Sequence, residues 1–145
     1  MGVRASLTEI SPEQFEQVVA GGQPKLPNEP SYSIDKAWND FHFLFRCKGH
    51  PLRHAIAGDY LHPQSPHSLD EFCEGNHEYY LGFASPRLVL EVAHSLTDLS
   101  AMDYKRWENE LMGTQYNCGE TFFPYLKAAY ESAAARKNAL MIVIC

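Results

Sequence analysis

The sequence predicts an α+β fold, in which a small mixed sheet of an N-terminal, a middle and a C-terminal strand is packed by about five helices. Three observations support this prediction. The start of the chain alternates between apolar and polar residues, its end is a short continuous apolar run, and much of the chain between them repeats apolar residues at helical spacing. A length of 145 residues with 45% hydrophobic and 12% aromatic residues is typical of one compact domain, here residues 1–145.

The first strand and the first helix are predicted from the opening of the sequence. Residues 3–10 alternate in the pattern of a strand. Ser11 then predicts a helix N-cap, with Pro12 at the first helical position and Gln14 at the third. This helix ends at a pair of glycines, and the prolines within residues 23–32 predict an extended loop.

A second helix is predicted from Ser33 to about Cys47. Its apolar residues fall at positions 34, 37, 38, 41, 44 and 45, which is the i, i+3, i+4, i+7 spacing of one helix face. Trp38 and His42 are four residues apart, so they lie on the same side of this helix, one turn apart. We expect this helix to anchor the fold.

Shorter elements are predicted in the middle of the chain. Residues 51–57 indicate a short helical piece followed by a loop, and Ser68 indicates the cap of a single helical turn. Residues 77–84 are rich in aromatics, contain no proline and predict a strand. Two helices follow, with Ser85 and Ser100 as their N-caps and an apolar stripe in each.

The last helix and the last strand are predicted from the end of the sequence. Residues 113–120 are rich in glycine and asparagine and predict a loop. A helix then begins near Thr121 or Pro124 and ends at a C-cap, Asn138. Residues 140–144 are continuously apolar and partly β-branched, which favours a strand buried on both faces.

Several segments together have a pattern known in one bacterial family. They are Met1-Gly2, Ile34-Asp35-Lys36-Ala37-Trp38 with His42-Phe43-Leu44, Leu81-Gly82-Phe83, Pro86-Arg87, the stretch Phe123–Ala135, and the closing apolar strand. In these segments, over nearly its whole length, the chain resembles the YfbM-like bacterial proteins, a domain family of unknown function. A Gly-Tyr-Gly-Pro-Ala-Arg turn typical of many relatives is replaced here by Gly82-Phe83-Ala84-Ser85-Pro86-Arg87. The resemblance implies a compact α+β fold and no established activity.

Charge and composition argue against several classes of protein. The formal net charge of −6 argues against general nucleic-acid binding, which needs a basic surface, and it favours attraction of basic partners. No apolar run approaches the roughly 20 residues of a membrane helix, and the N-terminus has no apolar signal segment. The four cysteines are widely spaced and indicate reduced thiols. We therefore expect a cytoplasmic protein with no membrane partner and no cofactor.

One candidate binding cluster consists of Asp35, Trp38, His42 and Arg87. Histidine is the natural acid or base near neutral pH, and an arginine near a helix start is suited to gripping a carboxylate or phosphate. Asp35 precedes His42 by seven residues, or two helical turns, so these two would not touch. The alternative is structural: Trp38 belongs to the core, and His42 donates a hydrogen bond to a backbone carbonyl.

A histidine-rich stretch contains four candidate metal ligands, His50, His54, His62 and His67. His50 and His54 are four residues apart, which suits a metal on one helix face. However, His50 precedes a proline and no acidic residue has the H-E-x-x-H placement, so we predict no physiological metal site. The sequence also lacks a G-x-S-x-G nucleophile elbow and a phosphate-binding glycine loop.

An acidic segment with interleaved aromatics is the strongest sign of a protein partner. On such a surface, aromatic anchors supply buried area and carboxylates steer a basic partner. The alternative is a solvated loop face. The candidate residues are Asp70, Glu71, Phe72, Glu74, Glu78, Tyr79 and Tyr80.

Small size, net acidity and the lack of a catalytic motif favour a non-enzymatic cytosolic binding protein. Its most specific form is an immunity-type inhibitor that binds and neutralises a bacterial toxin, with a basic toxin domain as the expected partner. The alternative is a small-molecule binding protein, or an enzyme of unknown reaction, with a pocket near Trp38, His42 and Arg87.

Overall fold

A five-stranded sheet covered by helices forms the frame of the protein. The computed structural model describes residues 3–23, 31–63, 65, 68–75, 79–113 and 118–145. The strands in these residues are β1 (Ala5–Ile10), β2 (Ser31–Asp35), β3 (Tyr60–Leu61), β4 (Tyr80–Ala84) and β5 (Ala139–Ile144). The helices are α1 (Pro12–Val19), α2 (Trp38–Arg46), α3 (Leu69–Glu74), α4 (Pro86–Thr97), α5 (Ala101–Met112) and α6 (Cys118–Ala135), with a 3-10 turn at Leu52–His54.

The predicted α+β class is confirmed, with a larger sheet than predicted. The strand order is β2-β1-β5-β4-β3, and the four pairings are all antiparallel rather than mixed. The two added strands, β2 and β3, lie at the two edges of the sheet. None of the helices in the described residues is both long and apolar enough to cross a membrane.

The C-terminal strand lies at the centre of the sheet, between β1 and β4. Leu140, Ile142 and Ile144 join the main core on one face, while Ala139 and Met141 join a second apolar cluster on the other. Because side chains alternate across a strand, a strand covered on both sides must be apolar throughout. The prediction of a strand buried on both faces is confirmed.

Aromatic rings from three helices fill the main core. The rings of Tyr104 and Phe123 are stacked with centroids 5.1 Å apart, and the ring of Phe41 meets Tyr104 edge-on at 5.2 Å. Phe41 also stacks on Phe45, one helical turn later. These rings join α2, α5 and α6 into one layer over the sheet, because large aromatic side chains dominate the area that such a core buries.

Helix α1 covers the other face of the sheet near β4. Its Phe15 meets the rings of Tyr60 and Phe83, and Val18 is buried beside Ile10. The helix begins as predicted, with a capping box in which the Ser11 side chain accepts from the Gln14 backbone and the Gln14 side chain accepts from Ser11.

A buried carboxylate ties the central sheet to the end of α6. Glu9 in β1 accepts hydrogen bonds from Asn138 at 2.7 Å, Arg136 at 3.1 Å and Ser132 at 3.3 Å. A charge in the interior is tolerated only with such partners. The backbone N–H of Asn138 also donates a hydrogen bond to the carbonyl of Ala133, at the end of α6.

The predicted helix from Ser33 to Cys47 is wrong in its first third. β2 occupies Ser31–Asp35, and α2 begins only at Trp38. Asp35 has a φ of 48°, a left-handed conformation that ends the strand and turns the chain. Asp35 therefore does not lie on the helix with Trp38 and His42; it ends an edge strand and pairs with Arg4 at 3.2 Å.

Two other predicted boundaries also change. Residues 118–120 of the loop predicted at 113–120 belong to α6, which begins at Cys118, while residues 114–117 lie outside the described residues. Pro124 lies inside that helix and is exposed. The predicted strand 77–84 begins at Tyr80 as β4, and residues 77 and 78 lie outside the described residues.

Candidate functional site

Three neighbouring open cavities share His54 as a lining residue, at the edge of the sheet that carries β3. We call the group the His54 cleft. The arginine cavity, of about 360 Å³, is lined by His42, Arg46, Arg53, His54, Ala57 and Asp70. The tyrosine cavity, of about 410 Å³, shares His42, His54, Ala57 and Asp70 with it and adds Gly58, Asp59, Tyr60, Leu61, Ser68, Leu69 and Tyr80. The outer cavity, of about 290 Å³, is lined by His50, His54, Asp59, Arg87, Leu88 and Glu91.

The floor of the cleft is a charged contact between α2 and α3. Asp70 Oδ1 lies 3.2 Å from His42 Nε2 and accepts a hydrogen bond from Arg46 Nη1, also at 3.2 Å. His42 and Arg46 are one helical turn apart on α2, so they reach the same carboxylate. Helix α3 presents that carboxylate from its first turn, where Ser68 caps the helix.

The surroundings of the His42 ring favour its neutral form. Only 8% of His42 is exposed, and burial lowers its pKa, against the opposing effects of the hydrogen bond and the charge of Asp70. Nδ1 is buried, and no hydrogen-bond partner for it lies among the described residues. A proton on Nε2 donates to Asp70, whereas a second proton on Nδ1 would be a buried donor without an acceptor.

This geometry removes His42 from the set of free acid–base groups. One ring nitrogen contacts a carboxylate and the other faces the interior, so neither is open to a substrate. The predicted structural alternative was wrong about the partner, since the ring meets the Asp70 side chain and not a backbone carbonyl. The contact of His42 with Asp70 therefore links α2 to α3.

We expect His42→Gln to lose less stability than the native protein on acidification. Since the folded-state pKa of His42 is below its ordinary value of 6.5, the unfolded chain takes up the proton first. The stability that the neutral ring contributes is thus present above pH 6.5 and is lost as the pH falls through the folded-state pKa. Urea unfolding is measured at pH 8, 6.5 and 5. The difference in unfolding free energy between the native protein and the variant should become smaller as the pH falls. His94→Gln, at an exposed position on α4, is the control. A gap independent of pH would contradict a buried neutral ring.

A second ion-pair group forms the outer wall. Glu91 Oε2 lies 2.6 Å from His50 Nε2, and Glu91 Oε1 accepts from Arg87 Nε at 3.1 Å. The hydrogen bond with His50 is the largest cause of the lowered pKa of Glu91, with Arg87 adding to it. Arg87 is thus paired along α4, and it lines the outer cavity rather than the cavities lined by His42.

The predicted binding set does not come together. Trp38 is a core residue, 7% exposed, whose Nε1–H donates to the carbonyl of Val3 at 3.0 Å. Asp35 ends β2, at the opposite edge of the sheet from the cleft. The predicted pocket near Trp38, His42 and Arg87 is therefore wrong. His42 and Arg87 both line the His54 cleft, but they line different cavities of it, and Trp38 lines none of the three.

Asp59 is fixed in the cleft by the start of α4. Its Oδ1 accepts from the backbone N–H of Ser85 at 2.8 Å, and its Oδ2 accepts from the Ser85 hydroxyl at 2.5 Å. The same hydroxyl caps α4 by accepting from the Leu88 backbone at 3.2 Å. A carboxylate beside a helix N-terminus is favoured by the helix dipole, so this arrangement is stable without a cation.

Arg53 and His54 differ from the other arginine and histidine side chains of the cleft, which are paired with carboxylates. Neither side chain has a hydrogen-bond or ion-pair partner among the described residues; the His54 ring only meets the edge of His50, with centroids 5.5 Å apart. Burial lowers the pKa of His54, and the charges of Arg53 and His50 act in the same direction. The 3-10 turn therefore presents two unpaired nitrogen donors to the arginine cavity.

The acidic segment is exposed only in part. Asp70, Glu71 and Glu74 are exposed on α3, and Tyr79 is half-buried. Phe72 and Tyr80, in contrast, are 6% and 3% exposed, so these two predicted aromatic anchors belong to the core. The Tyr80 hydroxyl donates to the carbonyl of Ala57 at 2.5 Å, and burial raises its pKa to about 12. Glu78 lies outside the described residues.

The histidines considered as metal ligands do not form one site among the described residues, although the rings of His50 and His54 meet. His50 is bound to Glu91, His54 faces the cleft, and His62 is buried next to the ring of Phe83. His67 lies outside the described residues. Within the part of the chain that the structure describes, no group of three histidine, cysteine or carboxylate side chains is placed to hold a metal ion.

The fold is similar to that of a protein of unknown function, YfbM from Escherichia coli. The crystal structure of YfbM superposes with a TM-score of 0.60 over 98% of this chain and 99% of that chain, at 19% sequence identity. No protein-family model and no curated protein sequence matches this chain. The resemblance predicted from the sequence is thereby confirmed at the level of the fold, and it assigns no activity.

Proposed function

We propose that the protein is a non-enzymatic cytosolic binding protein whose small-molecule site is the His54 cleft. The observation that carries this proposal is the meeting of three open cavities at one histidine whose ring nitrogens are unpaired among the described residues. Ligand sites are concave surfaces, largely formed in advance, with a few well-placed polar groups. The walls here are already fixed by the contacts of Asp70, Glu91 and Asp59.

Binding is favoured over catalysis because the reactive groups of the cleft are not paired for chemistry. His54 has no hydrogen bond to a nucleophile among the described residues. The hydroxyl of Ser68 caps α3 by accepting from Glu71 at 3.3 Å. A serine nucleophile needs a base within hydrogen-bonding distance, and none of the contacts of Ser68 or His54 supplies that pair.

A ligand screen with a blocking variant tests this function. Neutral, cationic and anionic small molecules are added to the ¹⁵N-labelled protein, and the amide shifts of Ala57 and Leu69 report on the cleft. We expect saturable shifts from at least one chemical class. These shifts should be lost in His54→Trp, whose larger side chain fills the space shared by the three cavities, and kept in His94→Trp. The thermal midpoint verifies that both variants are folded. No saturable cleft shift from any class would contradict the proposal.

A protein partner is the second candidate, and its most specific form is an immunity-type inhibitor of a basic bacterial toxin. The exposed carboxylates of Asp70, Glu71 and Glu74 on α3, together with the net charge of −6, support it. Replacing Asp70 would also break its ion pair with Arg46, so the exposed Glu71 and Glu74 are the residues to test.

Charge reversal separates a specific acidic surface from overall acidity. Glu71→Lys/Glu74→Lys and the control Glu13→Lys/Glu131→Lys change the net charge equally, and all four positions are exposed. Each variant is used to capture partners from the native lysate. A captured protein must be toxic when expressed alone, and it must be neutralised by the native protein and the control but not by the α3 variant. Capture of no toxic protein, or equal neutralisation by all three, would contradict this candidate.

A further inference from the structure

We propose that the His54 cleft binds a phosphomonoester, with the phosphate held by the Arg53 guanidinium and the His54 imidazole in the arginine cavity. This inference rests on the proposed function of the cleft as a small-molecule site and adds the chemical class of the ligand. A guanidinium presents a planar fork of N–H donors that matches phosphate oxygens, and an imidazole beside it supplies a further donor.

The charges that line the arginine cavity support an anionic ligand. Arg46 and Arg53 face a single carboxylate, Asp70, which is already shared by Arg46 and His42. The cavity therefore has an excess of one positive charge in a chain whose net charge is −6. Arg53 carries this excess charge, because Arg46 pairs with Asp70 and no partner for the Arg53 side chain lies in the described residues. A partly enclosed cationic site focuses the field on an incoming anion.

The two donors project from a rigid support. The backbone N–H of Arg53 donates to Gly49 at 2.9 Å, and that of His54 donates to Pro51 at 3.0 Å. Leu52, which precedes them in the turn, has its side chain buried in the main core. Because the turn is anchored in this way, little backbone ordering opposes binding.

The space beside the donors fits the organic part of such a ligand. The tyrosine cavity shares His54, Ala57 and Asp70 with the arginine cavity, so one molecule can extend from one into the other. Its walls include the apolar side chains of Leu61 and Leu69. Asp70 and Asp59 present carboxylate oxygens that accept hydrogen bonds from hydroxyl groups. A sugar phosphate has this combination of an anionic end and hydroxyl donors.

The experiment uses the complete chain and four probes: ribose 5-phosphate, ribose, inorganic phosphate and gluconate. Binding is followed by the amide shifts of cleft residues and by the ring signals of His54. We expect ribose 5-phosphate to bind more tightly than phosphate, and ribose and gluconate to bind at least tenfold more weakly than ribose 5-phosphate. Arg53→Gln should weaken ribose 5-phosphate binding by about tenfold or more. Arg106→Gln, an exposed arginine on α5, should leave it unchanged within twofold.

The pH dependence supplies a second readout. A bound dianion favours the protonated ring, so we expect ribose 5-phosphate to raise the pKa of His54 and to bind more tightly as the pH falls from 8 to 6.5. His54→Gln should bind weakly, with little change over that range. The affinities are measured at constant ionic strength, so that a change with pH reflects protonation and not screening by salt.

The outcomes distinguish the ligand class from the site itself. If neutral or cationic compounds give saturable cleft shifts and ribose 5-phosphate does not, the phosphomonoester is wrong and the small-molecule site remains. Equal binding of gluconate would overturn the preference for phosphate. Equal weakening by Arg53→Gln and Arg106→Gln would show nonspecific charge attraction and overturn the inference. If no compound of any class gives saturable cleft shifts, both the inference and the proposed function fail.

Discussion

Replacing Gly58 with alanine is expected to destabilise the protein by about 3 kcal/mol or more, combining backbone strain with a steric overlap. Gly58 has a φ of +79°. A Cβ at this position would overlap the carbonyl oxygen of Phe83 and lie 2.7 Å from its carbonyl carbon. That oxygen accepts a hydrogen bond from Asp59 at 2.9 Å, so β4 cannot move away without disturbing the connection to β3.

Gly49 provides a matched control for this substitution. Its φ of +75° is nearly the same, but nothing lies within 4 Å of a Cβ built there. Gly49→Ala should therefore cost only the conformational strain, about 1 kcal/mol. Urea unfolding followed by circular dichroism measures both variants. Equal losses of unfolding free energy would show that the close approach to β4 contributes nothing.

Phe41→Ala is expected to lower the unfolding free energy by about 3–5 kcal/mol. The ring is fully buried and touches Phe45, Tyr104 and Phe123. Its removal leaves a cavity where α2, α5 and α6 meet, and the rings around it are held by separate helices, so they cannot close it. The loss combines the lost apolar transfer energy with the cost of that cavity.

Phe43 on the same helix is the control, because 52% of it is exposed. Phe43→Ala removes the same atoms from the same helix and should change the unfolding free energy by about 0.5 kcal/mol or less. Thermal and urea unfolding of both variants test the comparison. A Phe41→Ala loss as small as that of Phe43→Ala would mean that the layer can repack around the missing ring.

The helix starts that were predicted correctly depend on local chemistry. Ser11, Ser68, Ser85 and Ser100 each accept a hydrogen bond from a backbone N–H three residues later, as their sequences predicted. A capping serine and the residue it caps are close in sequence, so the signal does not depend on the rest of the fold. The continuous apolar character of β5 was equally informative, because it excludes exposure of either face.

The boundary between β2 and α2 could not be predicted for a specific physical reason. Ile34 is a buried residue of strand β2, but its spacing to Ala37, Trp38 and Phe41 also fits one face of a helix. Apolar spacing reports which residues are buried and not which backbone buries them. The turn between the two elements depends on the left-handed conformation of Asp35, and aspartate gives only a weak signal for it. β3 has only two residues and gives no periodic signal.

α6 begins earlier than the sequence predicts, because it contains a proline that ordinarily disfavours a helix interior. Pro124 lies inside the helix with its ring exposed, where packing of the flanking turns keeps the helix intact. Gly119, in the first turn, disfavours a helix in the sequence. In the structure it is required, since a Cβ there would overlap the hydroxyl of Tyr104.

The candidate site was predicted only in fragments, because its walls come from distant parts of the chain. The sequence singled out His42, His54 and Arg87 for different reasons but gave no sign that Asp70 would pair with His42, or Glu91 with His50. Those pairings are what leave Arg53 and His54 unpaired. Which charges remain after the others have paired is a property of the tertiary structure, and no spacing rule along the chain reports it.

The central place of β5 sets the order in which the protein can be completed during synthesis. β1 emerges from the ribosome first, but its neighbour β5 is the last strand to emerge. Until then β1 and β4 each present an unpaired edge that becomes internal in the finished sheet, and such edges are templates for pairing with other chains. Closing the sheet also requires contacts between the two ends of the fold, which form slowly. We therefore expect the sheet to close only after β5 has been synthesised, with the chain before that point as its most aggregation-prone state.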